Sequence, residues 1–340
     1  MNHQVAIIGA GLVGRKRAAA LSGLNGSRLV AVADADPERA LALKKDFGGE
    51  IEADWQRVLD RDDVDIVVIA AFNRFSMPIA KAAIQKGMHV LCEKPLGRNV
   101  EEAAEIISFK NQASAAGNVV LKTGFNLRFH PAIRRAKELI DAGAVGECLN
   151  IRARYGHGGR PGMEQEWRAS KELCGGGELL DQGVHVIDLI RWFGGEITEV
   201  YSVAETRFWD TEVEDNAMAI LKTARDATAS IHVSWTNWKN IFSFEIHGKD
   251  GYLAVNGLGG SYGPETLEFG NRNEDGGRPD LEVFNFTKLD TSWELEWQEF
   301  VAAIEEKREP LGNGDDGLKA NMVVEAMYKS SAMNGVVRIA

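Results

Sequence analysis

The chain has little cysteine, fewer basic than acidic residues and no long apolar run. Its 3 cysteines include no C-x-x-C pair, which disfavours both a disulfide framework and a zinc site. No stretch of about 18 apolar residues occurs, and the first predicted strand begins close to Met1, so we expect neither a membrane span nor a signal peptide. With 39 Lys and Arg against 50 Asp and Glu, the net charge of −11 disfavours a nucleic-acid surface. We expect a cytoplasmic protein with no nucleic-acid or membrane partner and no bound metal.

What the chain does contain is a glycine-rich turn, Gly9-Ala10-Gly11-Leu12-Val13-Gly14, between a predicted strand and a predicted helix. At these positions Gly9 permits a tight turn, Gly11 lets backbone amides approach a pyrophosphate, and Gly14 lets the helix pack closely on the strand. The amino terminus of the helix then offers free N–H groups to phosphates. The three basic residues that follow could assist the pyrophosphate, although at least two of them are expected on a solvated helix face: Arg15, Lys16 and Arg17.

Asp34 ends the second predicted strand, about 20 residues after Gly14. A carboxylate at this spacing accepts hydrogen bonds from a ribose 2′-hydroxyl and repels a 2′-phosphate. Ala35 and Asp36 follow, and neither can receive a phosphate as an arginine would. We therefore predict NAD rather than NADP as the cofactor. Asp36 itself, which precedes Pro37, is interpreted as a helix N-cap.

Strand and helix periods alternate over residues 1–123, which predicts an NAD-binding domain of the Rossmann type with a doubly wound parallel sheet. Beyond it, residues 124–340 predict a C-terminal α+β domain for substrate binding and oligomerisation, because strand-like runs follow one another in the manner of an open, largely antiparallel sheet. A second subunit is the expected cover for the open sheet face. Residues 256–279 are interpreted as a long glycine-rich loop, and the closing helices, residues 293–306 and 317–333, could pack back on the first domain.

Glu93-Lys94-Pro95 ends an apolar run, residues 88–92. If that run is a strand of the parallel sheet, the turn after it lies at the carboxyl edge, where such sheets bind ligands. A lysine there can take part in proton chemistry, whereas the alternative is a surface lysine that caps the strand. Ala71 and Asn73 follow an earlier strand and should border the cofactor for the same reason.

A second cluster follows Gly175-Gly176-Gly177, where apolar residues recur at helical spacing over residues 178–188. On a regular α-helix Asp181, His185 and Asp188 share one face. An imidazole beside a carboxylate is held in one tautomer and becomes a better base for an alcohol proton. The alternative is a histidine that only packs or is satisfied locally, and Asp188 is interpreted as structural.

Substrate contacts are predicted in the loop that begins at Tyr155, where His157 and Arg160 could reach hydroxyls or an anionic group. Arg152 and Arg154 share one face of the preceding strand and could bind an anion, or they could simply face solvent or another subunit. Trp167 could stack on a sugar ring, with core packing as the alternative.

Several motifs in order resemble the Gfo/Idh/MocA oxidoreductase family, which includes glucose–fructose oxidoreductase and inositol dehydrogenases. They are residues 9–14, residues 83–95, Gly124-Phe125-Asn126-Leu127-Arg128-Phe129, Trp167-Arg168 and residues 175–188. The resemblance implies that Lys94 touches the reacting hydroxyl and that Asp181 and His185 match the acid and histidine of the active site. It also implies a second domain that often mediates dimers or tetramers. The chain departs from the family at residues 74–76, where other members commonly carry a histidine.

The sequence thus predicts an NAD-dependent oxidoreductase that transfers a hydride between the nicotinamide and a secondary alcohol carbon of a sugar, cyclitol or nucleotide-linked sugar. The alternatives are a non-catalytic sensor of NAD or sugar, and an enzyme with permanently bound NAD that acts through a transient keto-sugar. A homodimer or homotetramer is expected. The predicted catalytic residues are Lys94, Asp181 and His185. The predicted cofactor-binding residues are Gly9, Gly11, Leu12, Val13, Gly14, Asp34, Ala71, Asn73, Glu93 and Lys94. The predicted substrate-binding residues are Lys94, Asn126, Arg128, Tyr155, His157, Trp167, Arg168, Asp181 and His185.

Overall fold

The computed structural model describes residues 2–116, 119–287 and 289–339. The chain divides into two compact units, each assembled from more than one stretch of chain. The first unit comprises Met1–Asn126, Glu172–Gly175 and Trp293–Lys319. The second unit comprises Leu127–Lys171, Gly176–Ser292 and Ala320–Ala340.

Helices occur in both units. In chain order they are α1 (Leu12–Ser22), α2 (Pro37–Phe47), α3 (Trp55–Leu59), α4 (Asn73–Gln85), α5 (Val100–Ala116), α6 (Pro131–Asp141), α7 (Lys171–Cys174), α8 (Val184–Gly194), α9 (Ser292–Glu306) and α10 (Gly314–Met333). The start of α2 follows from its sequence, because the Asp36 side chain accepts hydrogen bonds from the backbone N–H groups of Glu38 and Arg39. The predicted N-cap at Asp36 is confirmed.

The first unit is built on a six-stranded parallel sheet. Its strands are β1 (His3–Ile8), β2 (Ser27–Ala33), β3 (Glu50–Ile51), β4 (Ile66–Ile69), β5 (His89–Cys92) and β6 (Leu121–Thr123). They lie in the order β3-β2-β1-β4-β5-β6, and every neighbouring pair is parallel. The predicted Rossmann-type sheet is confirmed.

Side chains of β1 alternate between two cores, which is why helices cover both faces of the sheet. Val5 and Ile7 pack in a cluster that includes residues of α1, α2 and α9. Ala6 and Ile8 pack in a second cluster with residues of α3, α4 and α5. The apolar runs predicted as buried parallel strands therefore have no solvent-facing side in β1 or β4.

The second unit is built on a nine-stranded mixed sheet. Its strands are β7 (Cys148–Gly156), β8 (Ile197–Glu205), β9 (Asn216–Thr223), β10 (Thr228–Ser234), β11 (Ile241–Gly248), β12 (Gly251–Asn256), β13 (Glu265–Asn271), β14 (Asp280–Phe286) and β15 (Val337–Arg338). They lie in the order β14-β13-β12-β11-β7-β10-β9-β8-β15. The pair β7–β10 is parallel and the other pairs are antiparallel, so the predicted largely antiparallel sheet is confirmed.

The long loop predicted over residues 256–279 is wrong, because strand β13 lies inside it. Glu265–Asn271 pairs with β12 on one side and with β14 on the other. Glycines stand close to both ends of this strand, and Gly270 lies within it, where a side chain would meet the Tyr252 ring at 2.0 Å. The glycine signal, which is typical of loops, concealed a strand stabilised by two neighbours.

One face of the second sheet carries α6 and α8: α8 packs on β7, and α6 packs on β12 and β13. Side chains alternate along β8 and β9, so every second residue points away from the buried side. Four neighbouring apolar residues are thereby exposed, and we call them the apolar sheet patch: Tyr201, Val203, Met218 and Ile220.

Among the residues described, no helix is long and apolar enough to cross a membrane. The same residues contain no group of three or more His, Cys, Asp or Glu side chains arranged to hold a metal ion. Cys92 and Cys174 are buried, and Cys148 is partly buried.

Candidate active site

Two glycines of the turn after β1, Gly9 and Gly14, have no room for a side chain. Gly9 has φ +100°, and a Cβ there would lie 2.4 Å from the Ala70 carbonyl oxygen. A Cβ on Gly14 would lie 1.9 Å from the Gly9 carbonyl oxygen, which accounts for the close packing of α1 on the strand. Gly11 differs, because a Cβ there would meet no protein atom within 4 Å.

These features fit a dinucleotide phosphate group. Gly11 is the N-cap residue of the 11-residue helix α1, and it has no side chain to accept hydrogen bonds from the first N–H groups of the helix. These N–H groups therefore point toward the open space beside Gly11. Leu12 is exposed and Val13 is partly exposed at this end of the helix. The space that a Cβ at residue 11 would occupy is where a pyrophosphate approaches the backbone.

Asp34 is fixed beside the same turn. Its Oδ2 accepts a hydrogen bond from the Ala10 N–H at 2.5 Å, and its Oδ1 accepts one from the Asp36 N–H at 2.8 Å. Two backbone donors therefore hold the carboxylate in place at the end of β2, where it could accept the ribose hydroxyls of NAD.

A pocket of about 440 Å³ opens next to Ala10 and is lined by Arg15, Arg39, Ala42, Lys45 and Asp46. Its two guanidinium groups are already paired with carboxylates: Arg15 with Asp46 at 2.5 Å, and Arg39 with Asp36 at 3.1 Å. Because these arginines have acidic partners, the pocket is a poorer receptor for a 2′-phosphate than its basic residues alone indicate.

The parallel strand order brings the ends of β1, β2, β4 and β5 to one carboxyl edge. Ala71, Asn73 and Lys94 lie just beyond the ends of β4 and β5 at this edge. The Glu93 N–H still bonds to the Ile69 carbonyl at 2.9 Å, so Lys94 is the first residue past the sheet ladder. Asn73 is buried, and its side-chain amide donates to the Cys174 carbonyl at 2.8 Å. Arg74, which lies in the segment that lacks the histidine common in the family, pairs with Glu172.

The Glu93 carboxylate is held by Arg17, a residue that the sequence did not single out for this role. Arg17 Nε donates to Glu93 Oε1 at 2.6 Å, and Arg17 Nη1 donates to Glu296 Oε2 at 2.5 Å. Lys122 lies 3.4 Å from the other Glu296 oxygen. Burial raises the pKa of the Glu93 carboxyl, and the Arg17 charge opposes that shift. Of the basic residues after Gly14, Arg15 and Lys16 reach solvent and Arg17 is fully buried.

In the second unit, the glycine turn before Asp181 is held by Glu214, which the sequence reasoning also missed. The buried Glu214 carboxylate accepts hydrogen bonds from the N–H groups of Gly177 and Leu179, each at 3.0 Å, and from the Tyr328 hydroxyl at 2.8 Å. A Cβ on Gly177 would lie 1.8 Å from the Glu214 carbonyl oxygen. Burial raises the pKa of Glu214, and these three donors oppose the shift.

The regular α-helix predicted over residues 178–188 is wrong in its first part. Leu179–Gly183 forms a π-helix, and α8 begins only at Val184. A π turn is wider than an α turn, so the three-and-four spacing does not put Asp181 on the face that carries His185 and Asp188. Short π segments are frequent at functional sites.

The three polar residues of this segment have different surroundings. Asp181 Oδ2 accepts a hydrogen bond from Arg168 Nε at 3.1 Å. His185 is buried, with its ring 6.3 Å from the ring of Tyr155 at an edge-on angle of 61°. Asp188 is buried and accepts two hydrogen bonds from Arg128, at 2.7 and 2.5 Å, which agrees with the structural role predicted for it.

Tyr155 lies next to His185, and Tyr262 lies next to Tyr155. Burial raises the pKa of Tyr155 well above its usual value. Tyr262 lies 5.4 Å from Tyr155 between ring centres, and its hydroxyl accepts a hydrogen bond from Gln182 Nε2 at 2.9 Å. Burial raises the pKa of Tyr262 to about 12. Sequence reasoning missed Tyr262 because it lies in the segment interpreted as a glycine-rich loop.

The loop after β7 holds His157 in one arrangement. His157 Nδ1 accepts a hydrogen bond from the Gly159 N–H at 2.9 Å, which leaves Nε2 as the protonated ring nitrogen of the neutral form. Burial lowers the pKa of His157, and the Asp181 charge opposes the shift. Arg160 is exposed and makes two hydrogen bonds to Glu166.

The remaining predicted substrate residues fall into three situations. The Arg168 guanidinium lies 4.5 Å from the centre of the Trp167 ring, so these two side chains stack on each other. Arg152 and Arg154 lie on the exposed face of β7, opposite Tyr155, which favours the solvent- or subunit-facing alternative. Asn126 is buried at the end of the first unit, and Arg128 is buried against Asp188. Substrate contact by Asn126 and Arg128 stays a prediction.

Comparisons with known proteins identify the family. Residues 3–120 match a model described as an oxidoreductase family with an NAD-binding Rossmann fold, and residues 133–254 match the GFO/IDH/MocA C-terminal domain. A levoglucosan dehydrogenase of Pseudarthrobacter phenanthrenivorans is 32% identical over 66% of this chain and 64% of that protein. An inositol 2-dehydrogenase of Rhizobium meliloti is 28% identical over 100% of both chains.

Among solved structures, a levoglucosan dehydrogenase in complex with NADH and levoglucosan superposes on this chain with a TM-score of 0.90 at 26% identity, covering 100% of both chains. The family predicted from the motifs is confirmed. With both models matched in order and a Rossmann-type sheet under the glycine turn, the chain belongs to the Gfo/Idh/MocA family of NAD-binding oxidoreductases.

Proposed function

We propose that the protein is an NAD-dependent dehydrogenase that oxidises a secondary hydroxyl group of a sugar or cyclitol to a ketone, and reduces the ketone in the reverse direction. The substrate class is supported by the names of the relatives, which act on levoglucosan and inositol. The chemistry is supported by residues of this chain in both units.

The observation that carries the proposal is the position of Lys94. It follows β5 at the same carboxyl edge of the parallel sheet as the glycine turn after β1 and Asp34 after β2. Ligands of such sheets bind at this edge. A lysine there has the reach and the donors to contact a hydroxyl presented to the nicotinamide.

NAD, when bound, supplies the carbon that accepts the hydride from the alcohol carbon. The Lys94 ammonium donates a hydrogen bond to the hydroxyl oxygen and stabilises the negative charge that develops there. His185 takes the hydroxyl proton, so that the alcohol loses a hydride from carbon and a proton from oxygen. In the alternative assignment Lys94 exchanges the proton and His185 donates the hydrogen bond to the hydroxyl oxygen.

Asp181 contributes through its charge and through its hydrogen bond with Arg168. The negative charge of its carboxylate favours the protonated form of the His157 imidazole and so opposes the effect of burial on the pKa of His157. His157, whose Nε2–H is available to donate, and Tyr155 are our candidates for contacts with the other hydroxyls of the substrate.

The test is NADH absorbance of the purified protein with NAD and a panel of inositols, aldoses, anhydrosugars and nucleotide sugars. We expect NADH to form with one class, and Lys94→Ala to lower the rate by about 10²–10⁴-fold with little change in NAD affinity. Lys110→Ala is the matched control, because Lys110 is a lysine of the same unit that pairs with Glu309 outside the sheet edge.

Failure of every sugar class despite demonstrated NAD binding would contradict the proposal of a simple dehydrogenase. Substrate conversion without net NADH would instead indicate that NAD stays bound and is re-reduced within one turnover. Equal rates for Lys94→Ala and the unchanged protein would remove Lys94 from the mechanism.

We also propose that two copies of the chain pair through the apolar sheet patch, as a homodimer or within a homotetramer. Two cross-strand pairs, Tyr201 with Ile220 and Val203 with Met218, make this exposed surface continuous. A water-exposed patch of this kind marks an interaction site. Sedimentation should show a smaller species for Ile220→Glu and no change for Lys44→Glu, which alters an exposed lysine on α2 of the first unit. A monomeric unchanged protein would refute the proposal.

We infer a cytoplasmic location from the thiols. Cys92 and Cys148 are free in the structure, and free thiols are typical of reducing compartments. Both thiols should react with an alkylating agent when the protein is unfolded without a reductant, and failure of either to react would contradict the inference.

A further inference from the structure

Two large aromatic side chains of the second unit are exposed side by side. Phe208 is 61% exposed and Trp238 is 63% exposed, although both are apolar. Their ring centres are 4.8 Å apart at 84°, an edge-to-face pair. We call these two residues the aromatic platform.

Phe208 is held rigidly by a buried carboxylate. Asp215 is fully buried, and its two oxygens accept hydrogen bonds from the backbone N–H groups of Arg207, Phe208 and Trp209 at 2.9, 2.7 and 2.9 Å. The Trp209 ring packs edge-to-face against the Phe208 ring, with 5.1 Å between ring centres, and the Trp209 indole N–H donates a hydrogen bond to the Trp235 carbonyl. This much internal support presents the Phe208 ring in one place.

Trp238 is held in a strained backbone conformation. Its φ of +55° lies in the left-handed region, which a bulky residue rarely adopts. Two glycines make room for the arrangement: a Cβ on Gly158 would lie 2.9 Å from Trp238 Cα, and one on Gly159 would lie 2.3 Å from the Trp209 ring. Strain of this kind is concentrated at ligand-binding positions.

The platform adjoins the loop that carries His157. Strands β7 and β10 are parallel and end together, with Gly156 opposite Ser234. His157 then donates its N–H to the Ser234 carbonyl at 3.0 Å, and the Asn237 N–H donates to the His157 carbonyl at 3.1 Å. Trp238 therefore directly follows Asn237, which is hydrogen-bonded to His157. The charge of Asp181 in turn opposes the lowering of the His157 pKa by burial.

We propose that Phe208 and Trp238 form a second sugar-binding subsite, which stacks on the apolar face of a sugar ring joined by a glycosidic bond to the ring that is oxidised. The C–H groups on one face of a pyranose pack against aromatic rings, and the hydroxyls at its rim stay in water. In this proposal other residues hold the ring that is oxidised, and only the second ring contacts the platform. The proposal rests on the proposed dehydrogenase function and names a glycoside or disaccharide as the preferred substrate.

The test compares glucose with cellobiose and maltose in the NADH assay, for the unchanged protein, Trp238→Asn and Phe208→Ala. Asparagine tolerates the left-handed backbone, so Trp238→Asn removes the indole without adding strain. We expect kcat/KM for the better disaccharide to fall about 10-fold or more, and kcat/KM for the single ring to change less than about twofold. Leu149→Ala, an exposed apolar residue at the opposite end of β7, is the matched control.

Calorimetric titration of the same sugars into the protein without turnover gives an independent readout. Weaker disaccharide binding in the two platform variants, with the single ring unaffected, is the expected result. Equal losses for both sugars, no loss for either, or failure of the unchanged protein to bind and oxidise any disaccharide would overturn the subsite. A smaller particle in sedimentation for Trp238→Asn would overturn it in favour of a contact between copies. Oxidation of glucose but of neither disaccharide would contradict the subsite and leave the proposed dehydrogenase function standing. Oxidation of no sugar would contradict the proposed function as well.

Discussion

Arg17 Nε donates a hydrogen bond to Glu93 Oε1 at 2.6 Å, and this pair joins α1 to the residue that precedes Lys94. The Arg17 guanidinium also reaches Glu296 at 2.5 Å and lies over the Trp293 ring at 4.5 Å. The buried side chain of Arg17 thus connects α1 with the end of β5 and with α9. A Cβ on Gly124 would lie 2.7 Å from Glu93 Oε2 and 2.9 Å from Arg17 Nη2, so a larger residue there would displace this pair.

Removal of Arg17 should destabilise the protein strongly. Arg17→Met leaves Glu93 and Glu296 as two buried carboxylates without their shared cation, which costs about 3–5 kcal/mol. Arg15→Met is the matched control, because Arg15 and Asp46 form a half-exposed pair of the kind that contributes about 0–1 kcal/mol. Urea unfolding curves of both variants give the comparison. Similar midpoints for the two would show that the buried cluster contributes little.

Two glycines of the cofactor turn should behave differently when replaced by alanine. Gly11→Ala should fold with unchanged thermal stability, because its Cβ meets no protein atom within 4 Å and its φ of −68° suits alanine. It should still weaken NAD binding, because the methyl group enters the space of the pyrophosphate. Gly14→Ala should lose both stability and NAD binding, since its Cβ would lie 1.9 Å from a carbonyl oxygen. Thermal melts with and without NAD separate the two effects; full NAD affinity in Gly11→Ala would place the cofactor elsewhere.

Asp34→Asn should reduce the preference for NAD over NADP. The amide keeps the size of the side chain, removes the charge that repels a 2′-phosphate, and loses one of the two backbone hydrogen bonds that hold the carboxylate. We expect NAD to bind more weakly and the NAD-to-NADP affinity ratio to fall about 10-fold, measured by quenching of tryptophan fluorescence. Asp46→Asn, which alters a carboxylate of the neighbouring pocket, is the control. An unchanged ratio in Asp34→Asn would mean that the carboxylate does not face the ribose.

Local signals predicted the first unit well, because each of its cofactor features depends on neighbours in sequence. The glycine turn and Asp34 lie within one βαβ segment, and the structure brings them together through backbone hydrogen bonds. Arg17 and Glu93 are 76 residues apart, and no local pattern connects them. Their pairing depends on which helix covers which face of the sheet.

The second unit was harder to predict for a different reason. β13 is a strand only because β12 and β14 flank it, and its glycines are the residues that usually indicate a loop. The π-helix at Leu179–Gly183 is likewise set by tertiary contacts, among them the bonds of the Gly177 and Leu179 N–H groups to Glu214. Apolar spacing alone cannot distinguish an α turn from a π turn over five residues.

His89 should make stability fall as the pH is lowered. Its Nδ1 accepts a hydrogen bond from the Val120 N–H at 3.1 Å, and burial lowers its pKa from the usual 6.5. The imidazole in the folded state therefore binds a proton less readily than in the unfolded state. The contribution of His89 to the free energy of unfolding is complete above pH 6.5 and is lost as the pH falls below it. In His89→Gln, a neutral amide takes the place of the imidazole, and the thermal midpoint should depend less on pH between about pH 6.5 and 5. Parallel curves for both proteins would exclude His89 as a source of the dependence.

Glu214 should be important for turnover although it was not predicted as a site residue. In Glu214→Gln the side-chain NH₂ group must face either the Gly177 N–H or the Leu179 N–H, both of which are donors, so at least one hydrogen bond is lost. Loss of a hydrogen bond to a charged group costs about 1.5–3 kcal/mol, and the turn that leads to Asp181 should loosen. Tyr328→Phe is the matched variant, because it removes one donor and keeps the carboxylate and both backbone bonds. We expect Glu214→Gln to lower kcat about 10-fold or more and Tyr328→Phe to lower it less, while NAD affinity stays the same in both, because the NAD-binding residues proposed here belong to the first unit. A Glu214→Gln protein with lower stability but unchanged kcat would limit this carboxylate to a role in folding.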